Sequence, residues 1–273
     1  MIPAPFEYVR VDSVDAALTA LVEHGDDAKL LAGGQSLLPL MKLRLATPEV
    51  LVDVGRLREL SYVRDGGNHV AIGALTRHRD LELDELVASE CPALAAVTAE
   101  VGDRQVRHRG TLGGAVAHGD PASDLPAAIV ALDAELVVDG PRGRRVVVAA
   151  DFFAGFLETA LEPDELLTEI RVPKTGRAGF GYEKFHRRAQ DWAVVAALAA
   201  RDAGGAIRVA LVNMGGTPIR AHAVEAALAD GASLHDAAAL AADGTDPPGD
   251  LEASPDFRAH LARVLVRRAL EAA

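Results

Sequence analysis

The order of hydrophobic and polar positions predicts a small α/β unit over residues 1–56. Val14, Ala17, Leu18 and Leu21 recur at helical spacing behind Ser13, which has the residue type of a helix N-cap. Short apolar runs at 29–32 and 50–54 are typical of buried strands. This order predicts two strands joined by a crossover connection, with a short helix or turn over residues 37–45.

A second region, residues 57–173, mixes predicted helices with predicted strands. Apolar runs predict strands at 70–74 and 166–172, and the turn Gly140–Gly143 between two alternating runs predicts a hairpin. Helices are expected over residues 76–86, 92–101 and 126–133. Residues 173–179, bounded by Pro173 and Gly179, are the best linker candidate.

In the remaining part of the chain, residues 178–273, strands come first and helices follow. Three strands are predicted at 181–185, 193–200 and 207–214, and three helices at 221–229, 234–241 and 255–271. Because strands and helices are segregated in sequence, this part is expected to be an α+β domain.

The composition of the chain argues against several classes of function. Among 273 residues, 28 are Lys or Arg and 40 are Asp or Glu, so the formal net charge is −12. This charge argues against a role in binding nucleic acid or an anionic membrane surface. No signal peptide and no apolar run of about 18 residues is visible, so we expect a cytoplasmic protein without membrane insertion.

Cys91 is the one cysteine of the sequence. An iron–sulfur cluster needs about four thiolate ligands, so this chain alone is not expected to hold one. The simplest interpretation of Cys91 is a small buried hydrophobic residue.

Two glycine-rich stretches carry the strongest functional signal. Ala32–Leu37 follows a predicted strand, and Gly110–Gly114 contains a second pair of glycines beside a hydroxyl residue. Successive N–H groups in a glycine turn can bind an anion, so two such loops suggest a dinucleotide pyrophosphate held from two sides. The first stretch has neither the Rossmann fingerprint nor the Walker A pattern, and one such stretch alone is more often a simple tight turn.

The polar residues nearby allow two interpretations each. Asp124 before Leu125-Pro126 fits a helix N-cap, but it could also accept hydrogen bonds from a ligand. The basic runs 104–109 and 184–188 are either solvated faces or contacts to a cofactor or an acidic partner. His118 is a loop histidine or a ligand-facing group, and no metal site or nucleophile pattern is visible.

Four motifs together resemble one known family. They are Ala32-Gly33-Gly34-Gln35-Ser36, Val106-Arg107-His108-Arg109-Gly110-Thr111-Leu112-Gly113-Gly114, Asp120-Pro121-Ala122-Ser123-Asp124-Leu125-Pro126 and Lys184-Phe185-His186-Arg187-Arg188-Ala189-Gln190-Asp191-Trp192-Ala193. In this order and spacing the chain resembles the FAD-binding middle subunit of the carbon monoxide dehydrogenase and xanthine dehydrogenase family of molybdenum hydroxylases.

The resemblance implies a fold and a set of cofactor residues. The fold would be α+β: a two-subdomain FAD-binding fold of the vanillyl-alcohol-oxidase-like type over 1–56 and 57–173, then a C-terminal three-stranded sheet with helices over 178–273. Asp191 and Trp192, which belong to the fourth motif, would lie near the isoalloxazine ring of FAD. The implied FAD-binding residues are Ala32, Gly33, Gly34, Gln35, Ser36, Leu37, Thr111, Gly113, Gly114, Ala117, Asp124, Leu167 and Lys184.

The resemblance also implies partners. A [2Fe–2S] small subunit would reduce the FAD, a molybdopterin-binding large subunit would oxidise the substrate, and quinone, NAD or oxygen would take the electrons. The assembly is expected to be a dimer of heterotrimers. Two alternatives remain open at this point: a self-sufficient FAD-dependent oxidase or reductase of the same superfamily, and a non-catalytic nucleotide-binding or assembly module.

Overall fold

The computed structural model describes residues 2–273, which form fourteen strands and twelve α-helices. The strands are β1 (Glu7–Arg10), β2 (Ala28–Leu31), β3 (Val50–Asp53), β4 (Val63–Asp65), β5 (His69–Gly73), β6 (Glu135–Gly140), β7 (Gly143–Val148), β8 (Phe153–Gly155), β9 (Glu158–Thr159), β10 (Leu166–Pro173), β11 (Phe180–Phe185), β12 (Val195–Arg201), β13 (Ile207–Val212) and β14 (Ile219–Arg220). The helices are α1 (Val14–His24), α2 (Leu37–Leu43), α3 (His78–Leu83), α4 (Glu85–Glu90), α5 (Pro92–Ala99), α6 (Arg104–Arg109), α7 (Leu112–His118), α8 (Asp124–Ala131), α9 (Ala149–Phe152), α10 (His222–Ala229), α11 (Leu234–Ala239) and α12 (Pro255–Ala272).

The first region is a parallel three-stranded sheet of order β1-β3-β2 with α1 against it. The Ser13 hydroxyl accepts a hydrogen bond from the Ala16 N–H at 3.1 Å, so the predicted N-cap is confirmed. Strand β1 extends the expected strand–crossover–strand unit. Because β2 and β3 are parallel, the glycine-rich stretch after β2 lies at the carboxyl edge of this sheet.

The second region is an antiparallel sheet of order β4-β5-β10-β6-β7. Its hydrophobic face forms a core with the helices between β5 and β6, to which Ile72, Leu136 and Ile170 contribute fully buried side chains. The helix predicted over 76–86 is two helices, because the Asp84 carboxylate accepts hydrogen bonds from the N–H groups of Leu86 and Val87 at 2.9 and 3.0 Å and caps α4.

The third region is an antiparallel sheet of order β11-β12-β13-β14 with the long helix α12 packed on β11 and β12. The prediction of three strands here was wrong by one, because Ile219–Arg220 pairs with β13 as a fourth strand. This strand has two residues and leads directly into α10, so it leaves no alternating pattern to read.

The helices were compared with the length and hydrophobicity that a membrane span requires. Within residues 2–273 we found no helix that is long and apolar enough to cross a bilayer.

Candidate cofactor site

The first glycine-rich segment, residues 32–37, is a tight turn between β2 and α2. Gly34 has φ +75°, a left-handed conformation that favours glycine. Gly33 is buried, and a Cβ built on it would lie 2.3 Å from the carbonyl oxygen of Arg109. The paired glycines are therefore required here, one for backbone conformation and one for close approach of a distant segment.

The backbone of this segment presents unused hydrogen-bond donors. None of the N–H groups of residues 33–37 donates to an acceptor within residues 2–273. In α2 the first backbone bond runs from the Leu38 N–H to the Gly34 carbonyl at 3.2 Å, and Pro39 has no N–H to satisfy. Successive free N–H groups in a glycine turn form a concavity suited to an anion. The binding of a pyrophosphate by this segment stays a prediction.

The second glycine-rich segment, residues 110–114, differs from the prediction. It is the start of helix α7 rather than a loop, with the Thr111 hydroxyl as N-cap. The Gly113 N–H donates to the Ala74 carbonyl at 2.9 Å, and the Gly114 N–H donates to the Thr111 hydroxyl at 3.1 Å. The expectation of a second set of free N–H groups was wrong, because these donors bond to the protein itself.

The two segments nevertheless meet. Gly33 packs on the backbone of Arg109 and Gly110, and a Cβ built on Gly114 would lie 3.9 Å from the Ala32 Cβ. Backbone bonds to residues 74–78 fix the second segment, since the Leu112 N–H donates to the Thr76 carbonyl at 3.0 Å. The structure thus brings Ala32 and Gly33 together with Gly110 and Gly114, whereas Gly113 faces Ala74. The binding of a pyrophosphate by these residues stays a prediction.

Asp124 and Lys184 form a buried ion pair between the second and third regions. The Lys184 Nζ lies 2.7 Å from the Asp124 Oδ2, and both side chains are less than a tenth exposed, at 5% and 7%. The Tyr182 hydroxyl donates to the Asp124 Oδ1 at 2.6 Å, and Lys184 also donates to the Glu100 carbonyl at 3.1 Å. Burial raises the pKa of Asp124 above its ordinary value, although Lys184 and Tyr182 act in the opposite direction.

The N-cap interpretation of Asp124 was wrong. Ser123 is the N-cap position of α8, and Asp124 is the first helical residue. Its carboxylate reaches β11 instead of its own helix, so its role is to join two regions rather than to cap one helix.

Leu167 and Ala117 have less distinctive surroundings. Leu167 is 4% exposed, belongs to the core of the second region, and lies beside an irregularity in the β10–β6 pairing. Ala117 is half-buried on α7 and packs against the same core. Their contact with a cofactor stays a prediction.

The basic runs are not uniform solvated faces. In run 104–109 the Arg107 side chain is buried, and its Nε lies 2.9 Å from the Glu82 carboxylate, whereas Arg104 and His108 are exposed. In run 184–188, Lys184 is the buried member and the two arginines are exposed. The solvated-face interpretation therefore fails at the residues that join elements together.

Other candidate residues are accounted for by burial. The Cys91 thiol is buried, and burial raises its pKa to about 12, which agrees with the interpretation of an inert residue. His118 is half-buried at the end of α7. Among residues 2–273, no three His, Cys, Asp or Glu side chains are grouped as metal ligands.

Sequence reasoning missed Tyr182 and Arg77. Tyr182 could have been found, because it precedes Lys184 by two positions in a predicted strand and must share its face. Arg77 has no such signal: its Nη1 donates to the Arg109 carbonyl, the same oxygen that Gly33 approaches.

A polar cleft of about 580 Å³ lies elsewhere, between α1 and the second sheet. Tyr62, Arg144 and Glu169 line it, and it includes none of the predicted cofactor residues.

Comparison with known proteins identifies two family domains. Residues 4–175 match the FAD binding domain in molybdopterin dehydrogenase, and residues 180–273 match the CO dehydrogenase flavoprotein C-terminal domain.

Full-length relatives and a solved structure agree with this assignment. The carbon monoxide dehydrogenase medium chain of Hydrogenophaga pseudoflava is 43% identical, with 100% of this chain and 98% of the relative covered. The glyceraldehyde dehydrogenase medium chain of Sulfolobus acidocaldarius is 39% identical, with 99% of each covered. A solved carbon monoxide dehydrogenase from Hydrogenophaga pseudoflava, which lacks the Mo-pyranopterin moiety of its molybdenum cofactor, superposes with a TM-score of 0.96 at 45% identity, covering 100% of this chain and 98% of that one.

The free donors at residues 33–37, the glycine contact beside them and these matches lead to one assignment. The chain belongs to the family of FAD-binding medium subunits of the molybdenum hydroxylases, which are oxidoreductases.

Proposed function

We propose that this chain is the electron-transfer subunit of a heteromeric molybdenum hydroxylase. It would take electrons from a [2Fe–2S] subunit and pass them through FAD to an external acceptor. The observation that carries this proposal is the run of unbonded N–H groups at residues 33–37, located where the two glycine-rich segments meet. A protein of net charge −12 can bind a doubly charged pyrophosphate there, because backbone donors carry the interaction.

The cofactor residues have distinct proposed roles. Ala32–Leu37 would bind the pyrophosphate through backbone N–H groups. On the opposite side of the cofactor, α7 and its N-cap residue would form a wall from Thr111, Gly113, Gly114 and Ala117. When bound, the isoalloxazine accepts electrons singly or in pairs and delivers them to an acceptor. Within the chain, Gly114 contributes the absence of a side chain where α7 approaches Ala32.

Asp124, Lys184 and Leu167 would lie toward the ring end of the cofactor. The ion pair joins α8 to β11 and is bonded on both carboxylate oxygens, which supports a role in fixing the position and charge of the junction between the second and third regions. Leu167 would supply an apolar wall. We retain 1–56, 57–173 and 178–273 as the boundaries of the two FAD-binding subdomains and the C-terminal domain.

Catalysis is proposed to require partner chains. The single cysteine is buried, so an iron–sulfur cluster must come from another polypeptide. The relatives described above are named for carbon monoxide and glyceraldehyde, and we infer that a molybdopterin-binding large subunit determines the substrate of the holoenzyme. A cytoplasmic dimer of heterotrimers is the proposed assembly.

Native purification tests this function. The preparation should contain about one FAD per copy of this chain, together with a small iron–sulfur protein and a large molybdopterin protein in equal amounts. Denaturation should release FAD rather than FMN. A lone homo-oligomer that is fully active on an organic substrate would favour a self-sufficient flavoenzyme, and a folded protein that takes up no FAD would overturn the proposal.

A further inference from the structure

Arg77 is a half-buried arginine without a carboxylate partner. It precedes α3, and within residues 2–273 neither Arg77 nor the nearby Arg109 forms an ion pair. Their neighbours differ, since Arg79 and Arg107 both pair with the Glu82 carboxylate, at 3.7 and 2.9 Å. Buried arginines are ordinarily paired with a carboxylate, whereas within residues 2–273 the half-buried guanidinium of Arg77 bonds to a backbone carbonyl, that of Arg109.

The surroundings of Arg77 concentrate positive charge. Burial and the charge of Arg109 lower the pKa of Arg77, while Asp80 and Asp53 act more weakly in the opposite direction. The Asp53 carboxylate is itself engaged, because it accepts hydrogen bonds from the Gly55 N–H at 2.8 Å and from the Tyr8 hydroxyl. The half-buried Arg77 thus lies near a second arginine, the exposed Arg109, and a bound anion would offset the repulsion between the two charges.

Arg77 lies beside the first glycine-rich segment. Its Nη1 donates to the Arg109 carbonyl, and that oxygen also borders Gly33 at the start of the free N–H groups. One N–H of the guanidinium is used in this bond, and a guanidinium has five. The remaining donors are available beside the segment that would hold a phosphate.

We propose that Arg77 holds Arg109–Gly110 against Gly33 and, together with Arg109, neutralises the phosphate charge of the nucleotide bound at residues 33–37. This inference rests on the proposed function and adds to it a positioning residue with a charge. Arginine suits both tasks because its planar fork can bond a carbonyl and a phosphate oxygen at once. The chain would therefore bind a diphosphate-bearing flavin far better than the same ring without phosphates.

The test compares FAD with riboflavin, which carries the same ring but neither the phosphates nor the adenosine; the salt dependence of FAD binding then reports the phosphate charge. Arg77→Gln and Arg77→Lys are prepared in the full chain, with its partner chains when these co-purify, and the bound flavin is removed. Arg79→Gln is the matched control, since it changes a charge two residues away that is paired with Glu82. Flavin fluorescence titrations give the two dissociation constants at several salt concentrations, and thermal unfolding checks the fold.

Arg77→Gln should weaken FAD binding roughly tenfold, leave riboflavin binding unchanged and reduce the salt dependence of FAD binding. Arg77→Lys should restore part of the affinity for FAD, and Arg79→Gln should match wild type. Equal weakening of FAD and riboflavin would reduce Arg77 to a packing role and overturn the charge assignment. Unchanged FAD binding in Arg77→Gln would overturn the inference alone, whereas a wild-type protein that takes up no FAD would overturn the proposed function as well.

Discussion

Gly33 and Gly113 are both buried glycines that touch the backbone of a distant segment, yet the N–H groups around them differ. Around Gly33, the N–H groups of residues 33–37 have no acceptor within residues 2–273, whereas the Gly113 N–H is bonded to the Ala74 carbonyl. Similar glycine-rich sequences therefore serve two tasks. The first leaves its N–H donors unbonded, and the second lets helix α7 pack closely on Ala74.

A set of Gly→Ala variants can separate these tasks. Each variant adds one methyl group, so the differences report the surroundings of that group. Gly216→Ala is a suitable control, because Gly216 has no atom within 4 Å of the added Cβ and no left-handed backbone conformation.

The largest effect is expected for Gly33→Ala. The new Cβ would lie 2.3 Å from the Arg109 carbonyl oxygen and 2.8 Å from the Gly110 Cα, so two backbone segments must separate. Overpacking of this kind costs about 1–3 kcal/mol, and the free N–H groups would move with the segment. We expect urea unfolding to show a loss near 3 kcal/mol and FAD binding to fall more than tenfold. Wild-type affinity for FAD would contradict the assignment of residues 33–37.

A pH dependence of similar size is expected from His78, which packs against Gly110. His78 is buried, and burial, Arg107 and Arg77 lower its pKa from 6.5 to about 4. The unfolded chain therefore binds a proton at higher pH than the folded protein. The contribution of His78 to the free energy of unfolding is fully present above pH 6.5 and is lost as the pH falls toward about 4. The change is about 3 kcal/mol.

His78→Leu isolates this contribution. The His78 Nδ1 has no hydrogen-bond partner among the described residues, so an apolar side chain of similar volume is tolerated there. Unfolding free energies of both proteins should be measured between pH 4 and 7. The difference between them should change across this range, and a constant difference would show that His78 is already accessible to protons in the folded state.

The sequence predicted the elements whose signals are local. The alternating runs around Gly140–Gly143 predicted the β6–β7 hairpin, and Ser254 followed by Pro255 is a start signal for α12. Strand β1 was missed because it is held by pairing with β3 while most of its side chains are exposed. Helices α6 and α7 were missed because both are short and α7 begins with two glycines.

In the candidate site, too, the sequence predicted local features and missed contacts between distant residues. The turn at Gly33–Gly34 was predicted from its own residues. The bond from Gly113 to Ala74 crosses about forty residues, and that from Tyr182 to Asp124 crosses 58, so neither leaves a local pattern. Whether a glycine N–H faces a ligand or a carbonyl was therefore decided by tertiary contacts that a single sequence does not display.

A smaller effect, confined to stability, is expected for Gly113→Ala. Its Cβ would lie 2.5 Å from the Ala74 Cβ and 2.6 Å from the Ala74 carbonyl oxygen, which costs about 2 kcal/mol in the same way. Because the Gly113 N–H is bonded to the protein, the folded variant should bind FAD within about threefold of wild type. A loss of FAD binding as large as that of Gly33→Ala would show that the two segments act as one rigid wall.

The smallest effect on stability is expected for Gly114→Ala, which faces the first segment. Its Cβ would lie 2.7 Å from the Thr111 hydroxyl, and turning that hydroxyl away loses a cap bond of about 1 kcal/mol. Alanine in place of glycine within a helix returns about 1 kcal/mol, so unfolding should change little. The Cβ also lies 3.9 Å from the Ala32 Cβ, beside the segment proposed to bind the pyrophosphate, and FAD binding should weaken roughly tenfold. Because this variant separates ligand binding from folding, wild-type FAD affinity in Gly114→Ala would move the pyrophosphate away from α7, while a matching loss in riboflavin affinity would indicate contact with the ring instead.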